Sequence, residues 1–245
     1  MQKLSSAHNA MILARTMVKR PSTKAILAMT ADGKISDYQD SAARFGSDND
    51  KAHLEYQVSL ADAVLFGAGT LRAYGTTMSV SQPKLLAERQ QRSQSPQPVQ
   101  IVASASGKLD RQWRFFQQPV PRWLITLPAG DIPWKNQPEF ERIMVAPTDN
   151  SGLQIDWRTI FAQLAELGLE KLAILGGGEL VASLLAADLI DELWLTLCPI
   201  ILGGNTAPTP VGGKGWLQSH GKKLQLLEVK QIEQELFLHY QVVSH

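Results

Sequence analysis

The chain has 245 residues, of which 44% are hydrophobic and 19% are charged, and its formal net charge is +1 at pH 7. Such a chain can form one large α/β domain or two small ones, and its charge gives no reason to expect nucleic acid or an anionic membrane as partner. No apolar run is long enough to span a bilayer, and the single cysteine, Cys198, excludes an internal disulfide and a thiolate metal cluster. We therefore expect a protein of the reducing cytoplasm.

The N-terminal region combines a predicted arm with the first strand of the domain. Residues 1–20 lack an apolar segment followed by a small-residue cleavage site, so they do not resemble a secretory signal. Within them, residues 10–18 are predicted to form a loosely attached helix. Residues 24–30 are apolar and predict a buried strand. The Asp32-Gly33 pair that follows favours a tight turn.

A helix and a second strand come next. Ser47 begins the sequence Ser-Asp-Asn-Asp, which predicts a capping box in which Asp50 takes the place of the usual Glu or Gln. The helix is predicted to run to about Leu60. Residues 62–66 then form an apolar strand, which ends in the sequence Gly-Ala-Gly-Thr at 67–70. A further short helix is predicted to start at the end of this turn.

The middle of the chain is the least regular part. Residues 79–98 are rich in Ser, Gln and Pro, and they are predicted to be a solvated connection with one surface helix at Pro83–Gln91. A linker between two domains is the alternative. Because further predicted strands of the same kind follow this segment, we expect one domain over residues 21–245. The next predicted strands are Val99–Ala103, Arg122–Thr126 and Arg142–Val145.

Residues 171–204 are the most informative part of the sequence. A helix that begins at the N-cap Asp156 leads into them. The apolar run at residues 172–175 predicts a buried strand, and three glycines follow it. Next come a predicted helix with one apolar face at residues 179–187 and another predicted strand at residues 193–201. Such a unit normally builds a parallel sheet. The last predicted strands, 223–229 and 235–243, indicate an antiparallel pair at one edge.

Two glycine-rich turns therefore follow predicted strands, one at residues 67–70 and one at 176–178. The carboxyl ends of parallel strands lie at one edge of a sheet, where α/β proteins bind ligands. Glycine lets a phosphate approach the backbone, and the free N–H groups at the start of the next helix point toward it. The alternative is that the glycines only make tight connections between strand and helix.

Other nucleotide and catalytic motifs are missing. The sequence contains no P-loop, no complete Rossmann glycine fingerprint and no Gly-x-Ser-x-Gly elbow. The histidines are scattered without the spacing of metal ligands, so we expect no metal site. They are His8, His53, His220, His239 and His245.

Five segments together resemble, in order and spacing, the RibD C-terminal family, the reductase domain of riboflavin biosynthesis. They are AMTADGKI at 28–35, DAVLFGAGT at 62–70, IVASASGKL at 101–109, GGGEL at 176–180 with DEL at 191–193, and PIILGG at 199–204. The resemblance extends from about Arg20 to the C-terminus. It implies a three-layer, dihydrofolate-reductase-like α/β fold with a mostly parallel central sheet and an antiparallel C-terminal edge pair.

The resemblance also implies an activity. Family members use NADPH to reduce the ribose of a 5-amino-6-(5-phosphoribosylamino)pyrimidine to its ribityl form, and they are usually homodimers. Their chemistry implies ring opening, or an imine tautomer, at the anomeric carbon before hydride delivery. Many bacterial relatives carry a zinc deaminase domain in front, whose ligands this chain lacks, so we expect a stand-alone reductase.

The resemblance assigns site residues as well. The coenzyme pyrophosphate is expected at Gly67, Gly69, Thr70, Gly176, Gly177, Gly178, Glu179 and Leu180. Ser104 and Ser106 are candidates for the adenosine 2′-phosphate, with ordinary turn chemistry as the alternative.

The substrate side is expected near the Asp-Gly turn. Asp32 is a candidate for orienting the substrate or transferring a proton, and Lys34 suits a substrate phosphate or the reacting ribose oxygen. Ala31 and Ser47 are expected to contact the substrate, although capping is the more natural role of Ser47.

Three positions depart from the family pattern. Leu175 stands where members commonly have Glu, Val58 where they often have Arg, and Tyr74 where an Asp is often found. We expect the missing acidic and basic side chains to alter the substrate side and leave the coenzyme side intact. A paralogue that reduces another pterin- or pyrimidine-like compound, and a non-catalytic nucleotide-binding subunit, therefore remain alternatives.

Overall fold

The computed structural model describes residues 19–148 and 154–243, so the helix predicted at 10–18 lies outside the described residues. The described chain forms a nine-stranded sheet. Its strands are β1 Ser22–Thr30, β2 Ala63–Gly67, β3 Val99–Ala103, β4 Arg122–Thr126, β5 Arg142–Val145, β6 Lys171–Ile174, β7 Glu192–Cys198, β8 Lys223–Ile232 and β9 Glu235–Val243.

The strand order is β5-β4-β3-β2-β6-β1-β7-β9-β8. Strands β1 to β7 are parallel, whereas β9 pairs antiparallel with β7 and β8 pairs antiparallel with β9. The predicted mostly parallel sheet with an antiparallel C-terminal pair at its edge is confirmed. The strand predicted at 193–201 is too long, because β7 ends at Cys198 and Pro199 brings no N–H group to a ladder.

Helices lie between the strands. They are α1 Asp48–Ser59, α2 Ala68–Tyr74, α3 Pro83–Gln91, α4 Pro128–Asp131, α5 Trp157–Glu166 and α6 Gly178–Ala186, with short 3₁₀ helices at Arg114–Gln117 and Gln218–His220. The predicted N-caps are confirmed: Ser47 accepts N–H bonds at the start of α1, and Asp156 does so at the start of α5. Within the described ranges, no helix is long and apolar enough to cross a membrane.

The sheet separates two hydrophobic cores. Alternate residues of a strand face opposite sides, so Leu65 of β2 packs into one core while its neighbours Val64 and Phe66 pack into the other. Helices α5 and α6 cover the first face with residues such as Phe161 and Leu184. Helices α1, α2 and α3 contribute to the second core. The result is the predicted arrangement of three layers.

The segment at 79–98 is more than a solvated connection, contrary to the prediction. Arg89 of α3 is only 1% exposed. Its guanidinium donates hydrogen bonds to the carbonyls of Ser59, Ala61 and Ser95, each at 2.8 Å. These contacts join α3 to the end of α1 and the start of β2, because a planar cation with five N–H groups can satisfy several carbonyls at once.

The Arg89 contacts lead to a stability prediction. In Arg89→Met the carbonyl of the buried Ala61 loses its donor, whereas the Ser59 carbonyl keeps a bond from Arg92 and the exposed Ser95 can turn to water. A buried acceptor left without a partner costs about 1–3 kcal/mol, so we expect the free energy of unfolding, measured by urea denaturation, to fall by about that amount. Lys84→Met, an exposed position of the same helix, is the matched control and should change it little. Equal stability of the two variants would contradict the prediction.

Candidate active site

A large cleft of about 1400 Å³ opens at the carboxyl edge of the parallel strands. Its lining comes from the turns after β2, β3 and β6, from the starts of α1, α2 and α6, and from the segment that follows the Asp-Gly turn. The volume exceeds the roughly 300–1,000 Å³ of typical small-molecule pockets, so a ligand as extended as a dinucleotide can be accommodated.

The two glycine turns meet in this cleft. The Gly67 N–H donates to the Gly176 carbonyl at 3.1 Å, and the Gly177 N–H donates to the Thr70 hydroxyl at 2.8 Å. These two hydrogen bonds, here called the joint of the glycine turns, form because β2 and β6 are parallel neighbours that end at the same edge. Both turns line the open cleft, so the prediction that they share one edge is confirmed.

The glycines of the second turn have different structural roles. Gly176 has φ +94°, in the left-handed region that favours glycine. A Cβ on Gly178 would overlap the Thr209 carbonyl, so this glycine allows the segment at 209–213 to pack on α6. The Gly212 N–H donates to the Gly178 carbonyl at 2.9 Å. Space for a ligand therefore explains only some of the glycines in this turn.

Gly69 is different, because a Cβ there would meet nothing within 4 Å. Gly69 lines the cleft, so the absence of a side chain keeps that part of the cleft open. No other segment of the described chain packs against it. A glycine with no packing reason at a cleft wall is the feature expected where a ligand approaches the backbone.

The next two predicted coenzyme residues also line the cleft. The Glu179 carboxylate accepts the Gly213 N–H at 2.8 Å, which fastens the segment at 209–213 to the start of α6. Leu180 is 8% exposed and belongs to the core under α5 and α6. The N-cap of α6 is Gly177, which has no side chain with which to cap the helix.

The Asp-Gly turn lies beside the cleft and not in its lining. Neither Ala31, Asp32 nor Lys34 is among the cleft residues, which resume at Ile35. Asp32 accepts hydrogen bonds from the Thr30 hydroxyl at 2.6 Å, from the Leu202 N–H at 3.2 Å and from the Gly203 N–H at 2.7 Å. It therefore anchors the segment after β7 to the end of β1. Catalytic roles for Asp32 and Lys34 stay predictions.

Hydrogen bonds to the Asp32 carboxylate, foremost the one from Thr30, lower its pKa to about 2. The Lys34 N–H donates to the Thr30 hydroxyl at 2.9 Å, and its carbonyl accepts the Thr30 N–H, so the backbone of Lys34 closes the turn.

The two serines predicted for the 2′-phosphate are also absent from the lining, which contains their neighbours Ala103 and Ala105. Ser104 is 6% exposed, and its carbonyl accepts the Thr126 hydroxyl at 2.7 Å. The Ser106 hydroxyl accepts the Lys108 N–H at 3.4 Å. These contacts are those of a turn, and the phosphate role stays a prediction.

Ser47 lines the cleft, but its hydroxyl is fully used. It accepts the N–H groups of Asn49 and Asp50 at 3.1 and 3.3 Å and donates to Glu235 at 2.5 Å. The Ser47 N–H donates to Glu235 at 2.9 Å. The predicted capping box is wrong in one respect, because the acid that binds the Ser47 N–H is Glu235 of β9 and not Asp50.

The cleft also contains charged residues that the sequence interpretation missed. Arg44, Lys51 and Arg72 line it and are exposed, and none forms an ion pair with a carboxylate in the ranges 19–148 and 154–243. Such cations suit the phosphates of a nucleotide or a sugar phosphate. They belong to no motif, so the fold alone brings them to one cavity.

The three departures from the family pattern lie in different surroundings. Leu175 and Tyr74 line the cleft, and the Tyr74 hydroxyl donates to the Ala43 carbonyl at 3.0 Å. Val58 is fully buried in the core under α1 and does not line the cleft. The expectation that all three positions face a substrate is therefore wrong for Val58.

The Asp32 contacts predict a pH-dependent stability. Its folded pKa of about 2 lies below the ordinary value of 3.8, so its stabilising effect is present above about pH 4 and is lost as the pH falls toward 2. We expect Asp32→Asn to be less stable than the parent at pH 7, with the difference vanishing near pH 2. Thermal melts across this range measure it. The exposed control Glu141→Gln should show no such trend, and a constant difference for Asp32→Asn would contradict the prediction.

Comparisons with known proteins agree with this architecture. The curated 2,5-diamino-6-ribosylamino-4(3H)-pyrimidinone 5′-phosphate reductase of Archaeoglobus fulgidus is 24% identical over 213 residues, which are 87% of this chain and 94% of the relative. The riboflavin biosynthesis protein RibD of Actinobacillus pleuropneumoniae is 25% identical over 230 residues, which are 92% of this chain and 58% of that protein.

Solved structures share the fold. A pyrimidine reductase-like protein from Corynebacterium diphtheriae has a TM-score of 0.77 at 21% identity, over 92% of this chain and 93% of its own. A dihydrofolate reductase from Enterococcus faecalis has a TM-score of 0.51 at 13% identity, over 91% and 97%. The family model described as the RibD C-terminal domain matches residues 23–238. Since the match includes both glycine turns and most of the chain, the chain belongs to the RibD C-terminal domain family.

Proposed function

We propose that this chain is an NADPH-dependent reductase of riboflavin biosynthesis, which converts the ribose of a 5-amino-6-(5-phosphoribosylamino)pyrimidine to its ribityl form. The observation that carries the proposal is the joint of the two glycine turns, Gly67–Gly176 and Thr70–Gly177, at the wall of one large cleft. Family membership and the reductase name of the Archaeoglobus relative, 94% of whose length is matched, support the substrate class.

The residues of the cleft fit a nicotinamide dinucleotide. The open space at Gly69 leaves the backbone accessible, and the uncapped start of α6 offers N–H groups and the positive end of a helix dipole to a pyrophosphate. Arg72 lies one turn further along α2 and would balance part of the phosphate charge. When bound, NADPH supplies the hydride.

The remaining cleft residues would bind and orient the substrate. Arg44 and Lys51 lie near the start of α1 and suit the substrate phosphate, because each is an exposed cation without a carboxylate partner in the described chain. Leu54, Met78 and Leu175 make part of the wall apolar. An apolar wall excludes water and favours a flat heterocycle, so the residues mainly supply position.

Reduction of a different pterin- or pyrimidine-like compound is the second candidate. Leu175 and Tyr74 favour it, since both line the cleft where family members commonly have acidic side chains. A ring that needs no carboxylate partner would suit this wall better.

We also propose that the protein is a homodimer and that it works in the cytoplasm. On β8, Leu224, Leu226 and Leu227 are 44%, 50% and 47% exposed, whereas Phe237 of β9 is buried. An apolar edge strand with such exposure is commonly covered by a second subunit. Size-exclusion chromatography with light scattering should give twice the mass of the chain, and a monomer would contradict this part.

The activity itself is tested by oxidation of NADPH, followed by absorbance, with the deaminated and non-deaminated phosphoribosylamino-pyrimidines and with dihydropterins. We expect turnover with one phosphoribosyl compound and a larger thermal shift with NADPH than with NADH. A shift without turnover on any compound would favour a non-catalytic nucleotide-binding subunit.

Gly69 provides the sharpest test of the coenzyme site. In Gly69→Ala the added methyl group meets no atom outside its own helix and chain neighbours, so the melting temperature should not fall, but the methyl occupies the space where the pyrophosphate approaches. We expect the Kd for NADPH, measured by calorimetry, to rise about tenfold or more, which corresponds to about 1.4 kcal/mol. Gly221→Ala, where a Cβ makes only ordinary contact, is the control. Unchanged NADPH affinity in Gly69→Ala would argue against this site.

A further inference from the structure

The first turn of α1 places a partly buried acid in the cleft. Asp50 lines the cleft and lies near the side chain of Thr196, which is 2% exposed on β7. Its carboxylate reaches back to Gly46, where a Cβ would overlap it. The side chain is therefore held between the loop before α1 and the sheet, with access to the cleft.

A second carboxylate, that of Glu235, is linked to Asp50 through Ser47. Glu235 is 4% exposed and does not line the cleft. It accepts the N–H and the hydroxyl of Ser47, 188 positions away, and the Cys198 thiol donates to it at 3.6 Å. Ser47 in turn accepts the Asp50 N–H, so Glu235 fixes the turn of the backbone that carries Asp50.

The groups around Asp50 shift its pKa. Burial raises the pKa of Asp50, and the charge of Glu235 adds to the effect, while the nearby Thr196 side chain opposes it. Burial, with the charges of Asp50 and Glu235, raises the pKa of the Cys198 thiol to about 12, so the thiol stays neutral.

Other titratable or charged groups face the same region. Burial raises the pKa of Tyr74 on α2, and burial lowers the pKa of His53 on α1 to about 4, so both are neutral at pH 7. The other charged residues that line the cleft are Asp40, Arg44, Asp48, Lys51, Arg72 and Glu179. Glu235 lies outside the lining and is linked to Asp50 through Ser47.

We propose that Asp50 is the general acid of the reduction and that Glu235 is the positioning residue that holds it in the cleft. This inference rests on the proposed function. It uses a carboxylate pair that no motif joins, because its members come from the start of α1 and the start of β9.

The proton has a defined place in the reaction. The Asp50 carboxyl donates its proton to the ribose ring oxygen while the bond between that oxygen and the anomeric carbon breaks. The bonding pair stays on the oxygen, and the lone pair of the exocyclic nitrogen forms a C=N⁺ bond. The anomeric carbon then accepts a hydride from the reduced nicotinamide coenzyme. Hydride and proton together add two hydrogen atoms, and water restores the proton of Asp50.

The positioning role is tested first in the protein without ligands. In protein with ¹³Cγ-labelled aspartate, the Asp50 resonance is identified by its loss in Asp50→Asn and is followed against pH. We expect it to titrate above the ordinary value of 3.8, and to titrate lower in Glu235→Gln, which keeps a hydrogen-bonding side chain but removes the charge. Glu233→Gln, an exposed residue of the same hairpin, is the control and should leave the titration unchanged. An ordinary Asp50 titration, or no change in Glu235→Gln, overturns the inference.

Kinetics then test the acid role. We expect Asp50→Asn to lower kcat about 100-fold, as for loss of a general acid, with the Kd for NADPH unchanged. In Glu235→Gln the alkaline limb of the kcat profile should move to lower pH in step with the NMR titration. A kcat within twofold of the parent in Asp50→Asn overturns the acid role. If the parent turns over none of the compounds, the proposed function and the acid role fall together, and the NMR titration still decides whether Glu235 controls Asp50.

Discussion

The structure of the site depends on the hydrogen bond between Gly67 and Gly176. It joins the turns after β2 and β6, which are neighbours in space although more than one hundred residues lie between them in the chain. Because both strands are parallel, their turns open to the same side, and the Thr70–Gly177 contact adds a second bond between them. A ligand cleft at the carboxyl edge follows from this strand order, and the glycines leave stretches of backbone exposed in its wall.

A second long-range contact fixes the opposite wall. Glu235, at the start of β9, binds both polar groups of Ser47 and so holds the start of α1 against the antiparallel edge. The C-terminal hairpin is thus more than an edge of the sheet: one end supports the cleft, while β8 presents exposed leucines. If subunits associate through β8, their contact lies on the same hairpin as the residue that supports Asp50. Assembly and the geometry of the cleft would then share one structural element.

Local sequence patterns were sufficient for much of the fold. Apolar runs gave β3, β4 and β5 with their observed bounds, and Ser47 and Asp156 marked the starts of α1 and α5 correctly. The order of the strands in the sheet could not be predicted from periodicity. The burial of Arg89 could not be predicted either, because a basic residue in a polar segment normally indicates solvent exposure, and its three carbonyl partners come together only in the fold. The pattern of strand, glycine turn and helix identified both glycine turns, and the family resemblance assigned the coenzyme to them. The resemblance also placed Asp32 in the site, but Asp32 anchors residues 202 and 203, outside the cleft lining.

The two walls of the cleft therefore differ in what the sequence reveals. The wall that would hold the coenzyme includes the backbone of the two glycine turns, which are readable in the sequence, although among their glycines only Gly176 has a backbone conformation that favours glycine. The facing wall is made of single side chains from separate elements, among them Arg44, Asp50, Tyr74 and Leu175. None of these side chains forms the joint between the glycine turns, although Leu175 packs against the core under α1, α2 and α3. Substrate preference within this family would thus vary on the second wall while the first stays the same, and the departures at Tyr74 and Leu175 lie where such variation is expected.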